Sequence, residues 1–213
     1  GGASAARNAG TAVHAAIEAV NRGQEPLPLI ADAVDSYRSA LAAANLEPVP
    51  ELVERIVLLH EHRIAGTFDV ALRDRRTGEV FVADLKTGSV DYPAAFAIQL
   101  AIYSHADELL AGDYASTELA PSWSRDRGII IHLPEGGPCS LHWIDLEMGR
   151  RGLEVALAGR AWRSDAKASA LLSPVESVEP TESRTSEWLL GRYAAVLDLG
   201  VDKATVAASW PAG

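Results

Sequence analysis

The stretch GTFDVALRDRRTGEVFVADLKTG, residues 66–88, consists of two segments rich in apolar residues on either side of the turn sequence RRTG. If RRTG forms a four-residue hairpin loop, the register places Asp69 directly opposite Asp84. Side chains two residues apart on a strand share a face, so Lys86 follows Asp84 on the same side, about 7 Å along the strand. The sequence therefore predicts two carboxylates and an ammonium group on one face of a β-hairpin.

The segments around this hairpin predict a further strand and several helices. The stretch ELVERIVLLH precedes the hairpin and would complete a three-strand meander. Apolar residues at helical spacing predict helices over residues 10–23, with Thr11 as the N-cap, and over residues 29–45. After the meander we expect a long helix over residues 92–112, a strand pair formed by RGIIIHL and CSLHWIDLE, and a helix over residues 148–167.

The order of these elements predicts one main domain. We expect an α/β domain over residues 1–172, with a mixed, mostly antiparallel central sheet flanked by helices. The segment SPVESVEPTES, residues 173–183, has no apolar period and is interpreted as a linker. A small helical appendage is predicted beyond it, over residues 184–213.

Composition limits the classes of protein to which this chain can belong. It has 19 basic and 29 acidic residues, so its net charge is −10, which argues against a nonspecific coat on nucleic acid. The single cysteine, Cys139, excludes a disulfide within the chain and a site of four thiolates. The longest apolar run, AAFAI, is too short to cross a bilayer. We therefore expect a soluble protein in a reducing, cytoplasmic setting, with no membrane partner.

The predicted cluster of charged groups indicates a particular chemistry. Two carboxylates held side by side raise each other's pKa unless a cation lies between them. Aspartate oxygens suit Mg²⁺ or Mn²⁺, and a nearby lysine can position a water and stabilise charge on phosphate. The alternative is an ordinary solvated ion pair, which is disfavoured because VFVADLKTG is apolar on both sides of Asp84 and Lys86. The pattern favours metal-dependent hydrolysis of phosphodiester bonds.

Four short motifs occur in order along the chain: GTAVH (10–14), GTFD (66–69), DLKTG (84–88) and QLAIY (99–103). In this order the motifs resemble those of the PD-(D/E)XK nucleases, and within that superfamily those of the RecB-like exonucleases. The resemblance implies a restriction-endonuclease-like core. One branch carries four cysteines for an iron–sulfur cluster, which this chain cannot supply. A cluster-free exonuclease of the bacteriophage type is therefore the nearest match.

The resemblance also implies roles for individual residues. Asp69, Asp84 and Lys86 would form the catalytic set. His14, Asp69 and Asp84 would bind Mg²⁺ or Mn²⁺, with the backbone carbonyl of Leu85 as a further ligand.

Other residues are candidates for supporting roles. Gln99 and Tyr103, one helical turn apart, would support the site or contact DNA. Glu18, one turn from His14, and Glu54, on the first strand, are weaker candidates for a direct role.

The last helix of the main domain carries a local surplus of positive charge. Between residues 150 and 167 five basic residues face two acidic ones, Glu154 and Asp165. The basic residues are Arg150, Arg151, Arg160, Arg163 and Lys167. This helix is a candidate contact for the DNA backbone, and a solvated helix face is an equally open alternative.

The resemblance implies a metal-dependent DNA exonuclease that acts in recombination, repair or phage DNA processing, with recombination or replication proteins as further candidate partners. Two alternatives stay open. One is an endonuclease, specific for structure or sequence, with the same site. The other is a catalytically silent nuclease fold that binds DNA or protein, against which the intact set of Asp69, Asp84 and Lys86 argues.

Overall fold

The computed structural model of the chain describes residues 2–112, 115–168 and 171–172. The chain divides into two compact units, Gly1–Asp165 and Ala166–Gly213. The fold and the site below belong to the first unit. The predicted linker at residues 173–183 and the predicted appendage at residues 184–213 lie outside the described residues.

Within the described residues, a seven-stranded mixed sheet is flanked by helices. The helices are α1 (Gly2–Asn21), α2 (Ala31–Ala43), α3 (Pro93–Ser104) and α4 (Leu146–Ala168), and a 3-10 turn spans Pro28–Ile30. The strands are β1 (Leu46–Leu59), β2 (Ile64–Asp74), β3 (Val80–Lys86), β4 (Glu108–Leu110), β5 (Thr117–Leu119), β6 (Arg127–His132) and β7 (Ser140–Asp145). Their order is β5-β4-β1-β2-β3-β6-β7. The β3–β6 pairing is parallel and the other neighbouring pairs are antiparallel, so the predicted α/β class with a mostly antiparallel sheet is confirmed.

Apolar side chains fill the space on both faces of the sheet. Helices α1 and α2 cover one face, where Tyr37 and Leu41 pack with Phe81 and other strand residues. Helix α3 covers the other face through Leu100. Residues 81–85 of β3 are all buried, as expected for a strand covered on both sides. A charged residue in this strand is therefore removed from solvent and needs a specific partner.

The predicted hairpin register is confirmed for the pairs from Val70–Ala83 to Arg73–Val80, whereas the predicted Asp69–Asp84 pair lies beyond them, outside the regular pairing. In the β2–β3 pairing Val70 lies opposite Ala83, and Arg73 lies opposite Val80. The Asp74 amide donates a hydrogen bond of 2.9 Å to the carbonyl of Glu79, which closes the four-residue loop RRTG. Gly78 has a φ of +76°, a left-handed conformation that favours glycine in such a loop.

Two predicted helix boundaries are wrong. The helix expected over residues 92–112 ends at Ser104, and residues 108–110 form β4 against β1. The cause is tertiary, because the edge of β1 offers unpaired backbone groups and the amide of Asp107 donates to the carbonyl of Leu58 at 2.9 Å. Thr11 is not an N-cap, since α1 begins at Gly2 and Thr11 lies within it.

The second helix and the start of the sheet also differ from the prediction. Helix α2 covers Ala31–Ala43 instead of residues 29–45. Two prolines, Pro48 and Pro50, lie within β1 at its register shift. Proline is tolerated there because a bulge interrupts the ladder of hydrogen bonds.

None of the helices described here is long and apolar enough to span a membrane.

Candidate metal centre

Asp69 lies where regular pairing between β2 and β3 ends. The amide of Leu85 donates a hydrogen bond of 2.6 Å to Asp69 Oδ2. This carboxylate therefore takes the place of the backbone carbonyl group that regular strand pairing would supply. Phe68 packs on the α3 side of the sheet, whereas Val70 packs on the side of α1 and α2. Residues two apart share a face in a regular strand, so β2 changes face at Asp69. This irregularity lets Asp69 approach both His14 on α1 and Asp84 on β3.

The adjacent strand β1 has a matching irregularity at Glu54. Its φ is +50°, which is unusual for a residue other than glycine. Val53 lies opposite Val70, and Arg55 lies opposite Phe68, so the register sets Glu54 against Asp69. Positive φ values at non-glycine residues in a strand mark bulges that redirect side chains. Here the bulge brings Glu54 to the acidic cluster. The sequence alone had made Glu54 only a weak candidate for a role in the site.

Asp84 and Lys86 form the buried part of the cluster. Asp84 is 2% exposed, and its Oδ2 atom forms an ion pair with Lys86 Nζ. The Lys86 ammonium also lies 4.8 Å from the centre of the Phe96 ring, which stabilises the cation. Sequence reasoning missed Phe96, although its position one helical turn before Gln99 places it on the same face of α3 and could have indicated the contact.

Gln99 connects the charged pair to Tyr103. Its Nε2 atom lies 3.1 Å from Asp84 Oδ1 and 3.0 Å from the Tyr103 hydroxyl, and its Oε1 atom accepts from Lys86 Nζ at 3.4 Å. The spacing of Gln99 and Tyr103 thus brings both to one face, as predicted. Gly66 makes this approach feasible, because a Cβ atom there would lie 2.7 Å from Tyr103 Cε1. The glycine of GTFD therefore accommodates the tyrosine of QLAIY.

His14 approaches the cluster from α1. Its Nδ1 atom is 3.8 Å from Asp69 Oδ2, which is an ion-pair distance when the ring is protonated. The first motif also contacts the third, since a Cβ atom on Gly10 would lie 2.8 Å from Thr87 Oγ1. Helix α1 can therefore pack this close to the end of β3 because residue 10 has no side chain. Together with the preceding contacts, these distances bring residues of all four sequence motifs to one place.

Acidic groups line a small cavity beside Asp69. Glu18 and Glu54 contribute to it with His14, Asn21 and apolar residues. Glu18 is also paired with Arg22 at 3.1 Å, and Arg22 donates to the carbonyl of Val53 at 3.1 Å. Arg22 therefore partly balances the carboxylates and fixes α1 to the irregular part of β1.

Burial and mutual repulsion perturb the carboxyl groups of the cluster. Burial, with a further contribution from the charge of Asp69, raises the pKa of Asp84 to about 6. Burial also raises the pKa of Asp69, and the amide of Leu85 opposes this change. For Glu54, burial and the charge of Asp69 raise the pKa to about 7. The cluster therefore carries more negative charge than Lys86 and His14 stabilise.

The donor groups of this cluster are of the chemical kind that binds a divalent cation, although they do not surround one point. Asp84 Oδ2 is fully buried, and the Lys86 ammonium is the charged group that pairs with it. Within residues 2–112, 115–168 and 171–172, no three His, Cys, Asp or Glu side chains are grouped closely enough to hold a metal between them. The ligand set implied by the resemblance includes the Leu85 carbonyl, which points to the same edge as the Leu85 amide and hence toward Asp69. An oxygen-rich donor set with surplus negative charge suits Mg²⁺ or Mn²⁺.

The basic residues of α4 do not join this cluster in the described contacts. Arg150 pairs with Glu147 at 2.8 Å and with Glu154, while Arg151 contacts the sulfur of Met148 at 3.6 Å. Arg160, Arg163 and Lys167 are exposed. Glu147 lies within α4 as well, so the helix carries five basic and three acidic residues. The surplus of positive charge over the whole of α4 is therefore smaller than the surplus predicted from residues 150–167 alone.

No protein-family model matches the chain, and no curated protein matches it with significant similarity.

Proposed function

We propose that this chain is a metal-dependent deoxyribonuclease with a PD-(D/E)XK core of the RecB-like branch, acting as a DNA exonuclease in recombination, repair or phage DNA processing. The observation that carries the proposal is the convergence of His14 from α1, Asp69 from β2, and Asp84 with Lys86 from β3. Repelling carboxylates with raised pKa values are unfavourable for folding alone, so a functional reason for keeping them is the better explanation.

Mg²⁺ or Mn²⁺ would be held by Asp69, Asp84, the Leu85 carbonyl and His14. When bound, the cation would neutralise phosphate charge and make a water easier to deprotonate. Glu54 lies close enough to Asp69 for the charge of Asp69 to raise the pKa of Glu54, and Glu54 is a further candidate oxygen donor.

The chain's own groups would orient the reacting phosphate and water. The Lys86 ammonium is a compact cation that can donate hydrogen bonds to a phosphate oxygen or to the attacking water as negative charge develops. Gln99 holds Lys86 and Asp84 in a fixed relation, and Tyr103 holds Gln99. Phe96 limits the freedom of Lys86 and excludes water from one side of the ammonium.

The acidic composition suits an enzyme that contacts DNA locally and releases it, or one that a recombination or replication protein holds on DNA. A reducing, cytoplasmic setting fits the single cysteine. In the first of these cases the affinity for DNA would be modest and sensitive to salt.

Two substrates and one substitution test the proposal against its alternatives. Linear and circular single-stranded DNA would be incubated with the wild type, with Asp84→Ala and, as a matched control, with Asp35→Ala at an exposed site on α2. An exonuclease degrades only the linear DNA, and Asp84→Ala abolishes this while Asp35→Ala does not. Cleavage of circular DNA would indicate the endonuclease instead. Intact DNA with the folded wild type in Mg²⁺ and in Mn²⁺ would favour the silent binding module.

A further inference from the structure

Three polar side chains continue from Lys86 across the neighbouring strands. In the parallel pairing of β3 and β6, Lys86 lies opposite His132, and in the antiparallel pairing of β6 and β7, His132 lies opposite Ser140. Side chains of residues directly opposite share one face of the sheet. The ring centres of His132 and His142 are 6.3 Å apart, so His142 lies on the same face. We call His132, Ser140 and His142 the histidine shelf.

The histidine shelf is open to solvent beside the buried core. His132 and Ser140 are half-buried and His142 is exposed, whereas Ile130, two residues earlier on β6, is buried under α3. The Ser140 hydroxyl lies 2.9 Å from His142 Nε2, which orients that ring. Within the described part of the chain, the ring of His132 has no hydrogen-bond or ion-pair partner, although it is half-buried.

The groups along this face are suited to an anion. An ammonium group, two imidazole rings and a hydroxyl group can all donate hydrogen bonds to phosphate oxygens. The strand spacing of about 4.8 Å separates Lys86, His132 and Ser140 in successive steps, so the shelf extends away from Lys86 across the sheet. Three residues in a row define a line along which a phosphate chain can lie, whereas a single polar residue on this face would define none.

We propose that the histidine shelf is a phosphate-binding subsite, which takes a phosphate of the substrate strand next to the phosphate held at Lys86. The identity of this ligand rests on the proposed function. The phosphate is either an internal diester of the DNA strand or the terminal phosphate of its end. Both present non-bridging phosphate oxygens to His132 and His142.

DNA binding without cleavage tests the subsite. Anisotropy of labelled oligonucleotides would be measured in EDTA for the wild type, for the double variant His132→Ala, His142→Ala and for His60→Ala, an exposed histidine at the end of β1 that is paired with Glu108. The double variant is expected to bind about tenfold more weakly and His60→Ala as the wild type does. Equal binding by all three proteins would overturn the proposal.

Modified oligonucleotides identify the phosphate. If the shelf binds an internal diester, one uncharged methylphosphonate linkage at the right position weakens binding by the wild type and has no further effect on the double variant. If the shelf binds the end of the strand, removal of the terminal phosphate weakens binding by the wild type and has no further effect on the double variant. Additive losses for every oligonucleotide would mean that the shelf contacts no phosphate.

Inorganic phosphate separates failure of the subsite from failure of the proposed function. At constant ionic strength, it is expected to shift the imidazole NMR signals of His132 and His142 saturably and to leave those of His60 unchanged. Unshifted signals would overturn the subsite even in an active nuclease. Saturable shifts in a protein that leaves DNA intact would support the subsite and overturn the nuclease.

Discussion

Replacing Asp84 with asparagine is expected to stabilise the protein at pH 7 in the absence of metal. The folded state raises the pKa of this carboxyl from its ordinary value of 3.8 to about 6, so keeping it ionised at pH 7 disfavours folding by about 3 kcal/mol. Asparagine removes that charge and can still accept the hydrogen bond from Gln99. Lys86 loses its counter-charge, so we expect a net gain in the free energy of unfolding of about 1–3 kcal/mol.

Urea denaturation of the wild type and Asp84→Asn in EDTA and in Mg²⁺ measures this gain. Mg²⁺ is expected to stabilise the wild type by binding the folded state and to have little effect on Asp84→Asn. Asp35→Asn, at an exposed site on α2, is the matched control and should behave as the wild type. Lower stability of Asp84→Asn than of the wild type in EDTA, or equal stabilisation of both proteins by Mg²⁺, would refute this prediction.

Three further outcomes follow from the same geometry. We expect the metal-free protein to be more stable at pH 5 than at pH 7. The folded state raises the pKa of Asp84 to about 6, so the stability that comes from the protonated carboxyl is lost as the pH rises through that value. Urea titrations at both pH values check this. Gly66→Ala is expected to reduce stability by about 1–3 kcal/mol, because the new Cβ would lie 2.7 Å from Tyr103 Cε1; unchanged stability would contradict that contact. Gly10→Ala is expected to lower the rate of DNA cleavage several-fold despite better helix propensity, because its Cβ would lie 2.8 Å from Thr87 Oγ1. Adding Thr87→Ala should restore the rate, since the Thr87 Cβ is 3.9 Å away, and a rate that stays low would contradict the explanation.

The features that local sequence determines could be predicted. The turn RRTG and the apolar strands around it fix the hairpin register, and the structure has this register up to the pair Val70–Ala83, next to the predicted pair of Asp69 and Asp84. The spacing of Gln99 and Tyr103 on a helix likewise predicted that both would lie on one face. Such predictions succeed because strand alternation and helical periodicity follow from backbone geometry.

The features that depend on distant parts of the chain could not be predicted. Residues 108–110 read as the end of a helix, and they pair instead with the free edge of β1. The change of face at Asp69 and the positive φ of Glu54 arise from an interrupted ladder between strands. The histidine shelf depends on which strand lies next to β3, and the parallel neighbour β6 begins 40 residues after β3 ends.

Digestion of end-labelled linear DNA by the wild type and by Lys86→Ala, in Mg²⁺, in Mn²⁺ and in EDTA, tests the proposed metal-dependent nuclease activity. We expect progressive shortening of the DNA by the wild type with either cation, no shortening in EDTA, and a loss of at least about a hundredfold in rate for Lys86→Ala, on the order expected when a charge-stabilising group is removed. Intact DNA in every reaction with the folded wild type, or equal digestion by Lys86→Ala, would contradict the proposal.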